Sequence, residues 1–314
     1  MRKLLLILLF SIFSCASNLP QKEFKLAFEA FEKGDMKKAK EMYTLSCDKN
    51  DFSSCGILGN IYEKESEFSK AFPLYEKACN GGFFLSCNSL GILYENGKGI
   101  ERNFDKAKEI HLKACDNAEL GSCFRVGLMY LYGQGFKQDF NKAYEIFEKS
   151  CSLEYGISCY QLGEMNYYGK GTKQDFIKAS ETYSKACDNL YYDGCSSLGN
   201  MYYNGIGIKQ DYFKARELFI KTCEKGNLVD CTTLGIMYNL EFGGERNHPK
   251  AKQLYEKSCY GGYMEACNEL GAWYELGGAG VDINYPKAKE FYKKACDGYH
   301  KESCDKLDFL NKSM

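Results

Sequence analysis

The hydrophobic positions of this chain follow two helical patterns that alternate along nearly its whole length. In the first pattern an alanine, an aromatic residue and a cysteine lie four residues apart, as at Ala179, Tyr183 and Cys187. Side chains at i, i+4 and i+8 share one face of an α-helix, so the pattern predicts an amphipathic helix. We call it a KA helix, after its Lys-Ala pair. An Asp or Asn four residues before the alanine, as at Asp175, is placed to cap that helix.

The second pattern, Cys-x-x-Leu-Gly-x-x-Tyr, predicts another helix, which we call an LG helix. Leu198 and Gly199 belong to one copy. A glycine inside a helix lowers its stability by roughly 1 kcal/mol, so we expect another helix backbone to pack closely there. Gly-x-Gly sequences such as Gly205 to Gly207 come next. Because they follow helices and lack the third glycine of a dinucleotide-binding loop, they predict helix ends rather than phosphate-binding loops.

The two patterns alternate with a period of 36 residues over most of the chain. Such a period predicts an all-α fold, a right-handed α/α solenoid of helical hairpins in which each hairpin covers its neighbour. The first and last units depart from the pattern, as capping units do. We therefore predict an N-terminal capping helix in residues 17–34. Residues 35–312 are predicted to form a solenoid of eight disulfide-bonded helix pairs with a C-terminal closing helix.

Sixteen of the seventeen cysteines form eight C-x7-C pairs, one in each repeat. A free thiol packed as a small hydrophobe has no reason to keep a partner at constant spacing through eight copies, so we predict a disulfide within each pair. By loop entropy each bridge stabilises the fold by up to about 2.6 kcal/mol. The predicted bridges are Cys47–Cys55, Cys79–Cys87, Cys115–Cys123, Cys151–Cys159, Cys187–Cys195, Cys223–Cys231, Cys259–Cys267 and Cys296–Cys304.

Eight persistent disulfides require an oxidising compartment, which predicts an exported protein. The N-terminus agrees, because Met1 to Lys3 is basic and Leu4 to Phe13 is an apolar stretch too short to span a bilayer. We predict a signal peptide over residues 1–16. Cleavage either follows Ala16 or precedes Cys15, which would then carry a lipid anchor. Both routes stay open, and the destination is the periplasm or the cell exterior.

The charge pattern argues against several classes of function. The chain has 41 basic and 42 acidic residues without a block of like charge, so we expect no nucleic-acid partner. No later hydrophobic run is long enough for a transmembrane span, and no cofactor is predicted. The histidines His111, His248 and His300 are far apart in sequence, so no metal site is predicted either. His111 occupies an aromatic position and is expected in the core.

Several motifs together resemble a known family. The sequences Leu234 to Tyr238 and Gln210 to Ala215, with the C-x7-C pair, resemble the Sel-one-like repeats, which are related to the tetratricopeptide repeat. With a signal peptide and a bridge in every repeat, the chain is similar to the Helicobacter cysteine-rich protein family over nearly all of residues 20–312. The resemblance implies a secreted interaction scaffold. The same family is associated with binding penicillin-like compounds and with weak β-lactamase activity.

The residues themselves give little support to an enzyme. Serine β-lactamases carry S-x-x-K together with S-D-N and K-T-G elements. Ser303 to Lys306 has the first spacing, but chance alone predicts such a match at this serine and lysine content, and nothing resembles K-T-G. At the end of the solenoid, Ser303 is expected to be exposed rather than in a cleft. Catalytic residues therefore remain unidentified.

We predict a monomeric scaffold whose concave groove binds a protein, a peptide or a cell-envelope component. The alternative, resting on resemblance alone, is a hydrolase of β-lactam or peptidoglycan-like compounds. Loop aromatics that fit no core position of the repeat are predicted at the rim of the binding surface. They are Phe83, Phe84, Tyr155, Tyr191, Tyr192 and Tyr263.

Overall fold

The described part of the chain, residues 22–277 and 282–313 of a computed structural model, contains α-helices and no strands. The predicted signal peptide and Cys15 lie outside the described residues. The helices are α1 Lys22–Glu32, α2 Met36–Asp48, α3 Phe52–Lys64, α4 Phe68–Asn80, α5 Phe84–Asn96, α6 Phe104–Asp116, α7 Leu120–Tyr132, α8 Phe140–Ser152, α9 Gly156–Tyr168, α10 Phe176–Asp188, α11 Tyr192–Asn204, α12 Tyr212–Glu224, α13 Leu228–Leu240, α14 His248–Tyr260, α15 Met264–Leu276, α16 Tyr285–Asp297 and α17 Lys301–Ser313. Even-numbered helices are KA helices, and the odd-numbered helices α3 to α15 are LG helices.

The KA helices begin at the predicted caps. In α2, α6, α10, α12, α14 and α16 the capping side chain accepts a hydrogen bond from the backbone N–H three residues later, at 3.0–3.1 Å. This bond satisfies one of the free amide groups of the first turn. Glu67, the exception in the sequence, makes no such side-chain bond at the start of α4. Pro249 and Pro286 lie in first turns, where proline is tolerated.

The Gly-x-Gly sequences end the LG helices, as predicted. Gly97, Gly133, Gly169 and Gly205 have φ values of 65°, 71°, 68° and 67° and cap α5, α7, α9 and α11 in the left-handed conformation. Glycine adopts this conformation without the steric strain that a Cβ atom brings. Glu241 takes the equivalent place after α13, with a φ of 62°.

The glycine inside the LG helices α3, α5, α9, α11, α13 and α15 packs against an aromatic ring, and not against the helix backbone that we expected from the sequence. A Cβ atom on Gly163 would lie 2.6 Å from the ring of Tyr183, and one on Gly271 would lie 2.5 Å from the ring of Tyr292. In both cases the ring belongs to the next KA helix. The glycine therefore makes room for the large aromatic side chain that KA helices carry at their centre.

Two compact units divide the chain, residues 22–139 and residues 140–313. Within each unit every helix packs against its neighbours in sequence, and each LG helix except α7 packs most extensively against the KA helix that follows it. LG helices also contact each other, α5 with α7 in the first unit and α9 with α11 in the second. The core of each unit consists of clusters of buried alanine, leucine and aromatic side chains, which include Tyr75 and Leu90 in the first unit and Tyr255 and Leu270 in the second.

All eight predicted disulfides are present. Seven join the end of a KA helix to the start of the following LG helix, and the eighth joins α16 to α17, with Cα–Cα distances of 4.6–4.8 Å. The predicted fold class, an all-α repeat of disulfide-bonded helical hairpins, is confirmed.

Candidate binding surface

One face of the LG helices combines accessibility with variable chemistry. It consists of the residues two and five positions after the second cysteine of each pair, and we call it the LG face. All of these side chains are half-buried or exposed. In the first unit they are Ile57, Asn60, Ser89, Ile92, Arg125 and Leu128, and in the second they are Gln161, Glu164, Ser197, Asn200, Thr233, Ile236, Glu269 and Ala272.

Buried tyrosines of the KA helices donate hydrogen bonds to carboxylates of the LG helices, and one of these carboxylates, Glu164, belongs to the LG face. The pairs are Tyr75 with Glu63 (2.5 Å), Tyr183 with Glu164 (2.5 Å) and Tyr292 with Glu275 (2.6 Å). Burial raises the pKa of all three tyrosines, and the hydrogen bond to the carboxylate raises it further. The hydroxyls therefore remain protonated donors at neutral pH, and each fixes the side chain of its glutamate.

His111 takes the place of such a tyrosine in the first unit. Its side chain is fully buried, as expected for a core aromatic position. Its Nε2 lies 3.2 Å from Glu95, at an angle that does not make a hydrogen bond, and its Nδ1 lies 3.3 Å from the Ser122 hydroxyl. Glu95 in turn lies 3.4 Å from Arg125 of the LG face. His111 thus lies beside the charged pair of Glu95 and Arg125 at the surface, a position that the sequence pattern did not reveal.

Ser303 was expected at an exposed position, and this expectation is wrong, because the residue is fully buried. Its Oγ lies 2.9 Å from both His300 Nδ1 and Asn268 Oδ1, and its backbone N–H donates to His300 Nδ1 at 3.3 Å. His300 therefore closes the first turn of α17. Lys306 pairs with Glu302 at 2.7 Å. Ser303 and Lys306, which would act as nucleophile and base in an S-x-x-K motif, thus both make contacts with other side chains.

The contacts of His300 add a carboxylate to this group. His300 Nε2 lies 2.6 Å from Glu265, so a serine, a histidine and a glutamate follow one another in space. Triads of this kind act as nucleophile, base and orienting group only where a substrate can reach the serine oxygen. Ser46 and Lys49 repeat the S-x-x-K spacing, and Ser46 is equally buried. Ser46 donates to Asp51 and Lys49 pairs with Glu23, so the serine and the lysine bind other side chains in both places.

The six loop aromatics predicted at a binding rim are all half-buried. Phe83, Phe84, Tyr192 and Tyr263 pack on the buried clusters of their own units. Tyr191 lies 5.2 Å from the ring of Tyr160. Four of the rings therefore contribute to the core, and their place at a binding rim stays a prediction.

An open pocket of about 1080 Å³ lies in the second unit, beside the loops that follow α11 and α13. Lysines, glutamates and aromatic residues line it, among them Lys209, Lys214, Tyr212 and Glu245. None of its lining residues belongs to the LG face. Its charges alternate in sign, so they do not converge on one ligand group.

The described residues contain neither a membrane-spanning helix nor a group of metal ligands. In residues 22–277 and 282–313 no helix is long and apolar enough to cross a membrane. Over the same ranges no three His, Cys, Asp or Glu side chains are grouped as metal ligands would be.

The repeat is assigned by its match to a family model. The Sel1 repeat model matches residues 23–51, 62–83, 85–118, 121–155, 156–189, 193–227, 232–263 and 265–300. The chain belongs to the Sel1 repeat family. The first matched segment runs from α1 into α2, and each later one runs from part or all of an LG helix into the following KA helix. Five of the eight disulfides of this Sel1 protein join one matched segment to the next, as between Cys115 and Cys123, whereas we predicted each bridge within one repeat.

Solved structures agree with this assignment. A protective antigen of uropathogenic Escherichia coli with an SLR fold has a TM-score of 0.80 at 24% identity and covers 95% of this chain. This chain spans 66% of the length of that antigen. A Sel1 repeat protein from Oxalobacter formigenes has a TM-score of 0.67 at 26% identity, covering 76% of this chain and 98% of its own.

A Helicobacter relative is also among the similar structures, in line with the resemblance found in the sequence. Cysteine-rich protein B of Helicobacter pylori is 30% identical over 42% of this chain and 96% of its own length, with a TM-score of 0.34. No curated protein sequence matches the chain significantly. The Sel1 fold is suited to protein binding, because it presents repeated helices with a variable surface.

Proposed function

We propose that this protein is an exported, monomeric scaffold that binds an extended peptide or a cell-envelope component along the LG face, the surface we assign to the predicted groove. The observation that carries the proposal is the contrast between a nearly constant framework and a variable face. Positions such as Gln161, Ser197 and Thr233 are equivalent in the repeat, yet they differ in chemistry while the surrounding Leu-Gly and aromatic positions recur. Side chains would supply the contacts, since the helical backbone groups already bond to each other.

Disulfide content supports the export part of the proposal. Eight bridges indicate an oxidising environment, either extracellular or periplasmic. We propose that residues 1–16 direct export and that Cys15 is either removed with them or lipidated. Mass spectrometry of the mature N-terminus from an exporting bacterial host tests this part. A start at Ser17 without a lipid supports simple cleavage, a lipid-modified Cys15 supports the anchor, and an intact Met1 contradicts both.

Peptide binding is the direct test of the proposed function. A library of capped, extended peptides is screened against the oxidised protein, and the affinity of each hit is measured for variants of the LG face. We expect Gln161→Ala with Thr233→Ala to weaken binding at least about tenfold, as loss of one or two hydrogen bonds predicts. The matched control, Glu217→Gln on an exposed KA position, should leave the affinity unchanged. Equal loss in both variants, or no peptide hit, would contradict the proposal.

The hydrolase alternative is tested with the same samples. The serines with the S-x-x-K spacing, Ser46 and Ser303, have no exposed surface, so we expect no turnover of nitrocefin. Turnover that follows the purified protein through fractionation, and that disappears when a single residue is replaced in a folded variant, would make a hydrolase the primary function.

A further inference from the structure

Tyr255 departs from the other buried tyrosines of its kind. It is 1% exposed, and its hydroxyl has no hydrogen-bond partner in the described part of the chain. Tyr183 and Tyr292, in the equivalent places of neighbouring KA helices, each donate to a glutamate. The preceding LG helix offers Tyr255 no carboxylate, because Ile236 stands where α9 has Glu164, and Asn239 stands where α15 has Glu275. Leaving a buried hydroxyl unpaired costs about 1–3 kcal/mol, so the hydroxyl is a strong candidate for contact with a ligand.

A carboxylate without a partner acts on this hydroxyl. Burial raises the pKa of Tyr255, and the charge of Glu269 in α15 raises it further. Glu269 is a half-buried member of the LG face, and within residues 22–277 and 282–313 it makes no hydrogen bond or ion pair. Its neighbouring cation, Lys306, is already held at 2.7 Å by Glu302.

The surroundings of Glu269 are negative. Burial raises the pKa of the Glu269 carboxyl, Glu265 raises it further, Lys306 lowers it and Glu302 raises it. His300 is occupied by Glu265 at 2.6 Å. Three carboxylates thus share one lysine and one histidine in this part of the second unit. A half-buried carboxylate such as Glu269 is stabilised when a cationic group that donates hydrogen bonds binds to it.

A second orphan group lies beside the first. The indole N–H of Trp273 is buried and has no hydrogen-bond partner within the described ranges. The Trp273 ring lies 5.8 Å from that of Tyr255 and 5.7 Å from that of His248. Aromatic rings beside a carboxylate favour cationic groups, because the ring faces are negative. Glu269 and Trp273 lie four residues apart on α15 and therefore share one face of that helix, and the Tyr255 ring packs against Trp273.

We propose that Glu269, Tyr255 and Trp273 form a subsite for a basic side chain, a guanidinium or an ammonium group, of the peptide bound on the LG face. This inference rests on the proposed function and specifies its ligand. The basic group would donate to the half-buried Glu269 carboxylate. The Tyr255 oxygen and the Trp273 N–H are shielded from solvent in the unbound protein, so the side chains that cover them would have to move aside for the basic group to donate to the Tyr255 oxygen as well. At the equivalent position the other LG helices carry Ile57, Ser89, Arg125, Gln161, Ser197 and Thr233, none of which is acidic. The subsite would therefore set the register of the peptide along the repeats.

The subsite contains its own reporter, because Trp273 is the single tryptophan of the chain. Indole fluorescence is recorded while the oxidised protein is titrated with the pentapeptide Gly-Ala-Arg-Ala-Gly, acetylated and amidated at its ends. The same peptide with citrulline, a neutral group of equal shape, in place of arginine is the ligand control. We expect a saturable change with arginine and an affinity at least about tenfold lower with citrulline, as loss of one charge-assisted hydrogen bond predicts.

Three variants separate the subsite from the rest of the surface. Glu269→Gln should remove the preference for arginine and leave the citrulline peptide unaffected. Tyr255→Phe removes only the unpaired hydroxyl and should weaken the arginine peptide without disturbing the fold. The control Glu217→Gln, on an exposed KA position, should change neither peptide.

Two outcomes would overturn the subsite. One is equal affinity of the unmodified protein for arginine and citrulline, or no response to either peptide. The other is an arginine preference that survives Glu269→Gln. In both cases the proposed function is judged separately by the peptide library, because hits that depend on Gln161 and Thr233 do not involve Glu269.

Discussion

At the scale of single residues, Asp230 shows how one departure from the repeat affects stability. It directly precedes the second cysteine of its pair, a place that serine fills at Ser54, Ser86, Ser122 and Ser158. Asp230 is 1% exposed, and its Oδ1 accepts a hydrogen bond from Ser196 at 3.0 Å. Its Oδ2 has no hydrogen-bond partner in the described ranges. Burial raises the pKa of this carboxyl, although hydrogen bonds from Thr222 and Ser196 oppose the effect.

Replacing Asp230 by asparagine should therefore stabilise the protein at neutral pH. A carboxyl whose pKa is raised in the folded state binds its proton more tightly there, so stability is lost as the pH rises through that raised pKa. We expect Asp230→Asn to increase the free energy of unfolding by about 1–3 kcal/mol at pH 7, with the gain vanishing near pH 3. Urea unfolding at both pH values measures it. Asp188→Asn, an exposed control, should have no effect, and a gain that persists at pH 3 would contradict the argument.

Local signals in the sequence predicted some of these residue roles and missed others. The caps Asp35 and Asn284 could be identified because a cap bonds to its own helix, within three residues. Glu269 and Asp230 could not be identified in this way, because their importance depends on the absence of hydrogen-bond partners on the neighbouring helices, which are distant in sequence. A comparison of equivalent positions along the repeats would have marked both as exceptions, because no other repeat has an acidic residue at either position.

At the scale of helices, the LG and KA pair is held together by a ring packed over a glycine. The sequence predicted the close contact but assigned it to a helix backbone, because periodicity shows where a side chain is missing and not what fills the space. The structure places Tyr292 over Gly271 and joins its hydroxyl to Glu275. One aromatic residue therefore connects the middle of an LG helix with its end.

A double-mutant cycle tests this packing. Gly271→Ala should lower the free energy of unfolding by about 1–3 kcal/mol through overpacking, despite a helix propensity better by roughly 1 kcal/mol. In a Tyr292→Leu background the same alanine should be neutral or stabilising, because the smaller side chain leaves room for the added methyl group. Thermal or urea unfolding of the four proteins gives the coupling energy. Additive effects would show that the ring does not define the glycine position.

At the scale of the whole molecule, stability is distributed over neighbouring contacts. Within each unit the helices pack mainly on those adjacent in sequence, so no single core holds the chain together. The disulfides act on the same short range, since each closes a loop between cysteines eight positions apart. By loop entropy the eight bridges together contribute on the order of 20 kcal/mol at most, so their loss should affect every repeat. The repeat period predicted this arrangement, because a pattern that returns after a constant number of residues indicates that each repeat makes the same contacts with the next one.

The bridges should not all open at the same rate. Reduction requires a thiolate to reach a sulfur atom, so exposure governs the order in which buried bridges react. Cys296 and Cys304 are both half-buried, whereas Cys259 and Cys267 are fully buried. Under limiting reductant we expect Cys296–Cys304 to open first and Cys259–Cys267 among the last. Alkylation of free thiols at timed intervals, followed by peptide mass spectrometry, gives the order.

The same experiment in urea serves as its control. Once the helices unfold, all eight loops have equal length and similar surroundings, so the difference in rate should disappear. If Cys259–Cys267 were reduced as fast as Cys296–Cys304 in the folded protein, the repeats would open together rather than one by one. Stability would then be cooperative across the unit, and the picture of independent neighbouring contacts would fail.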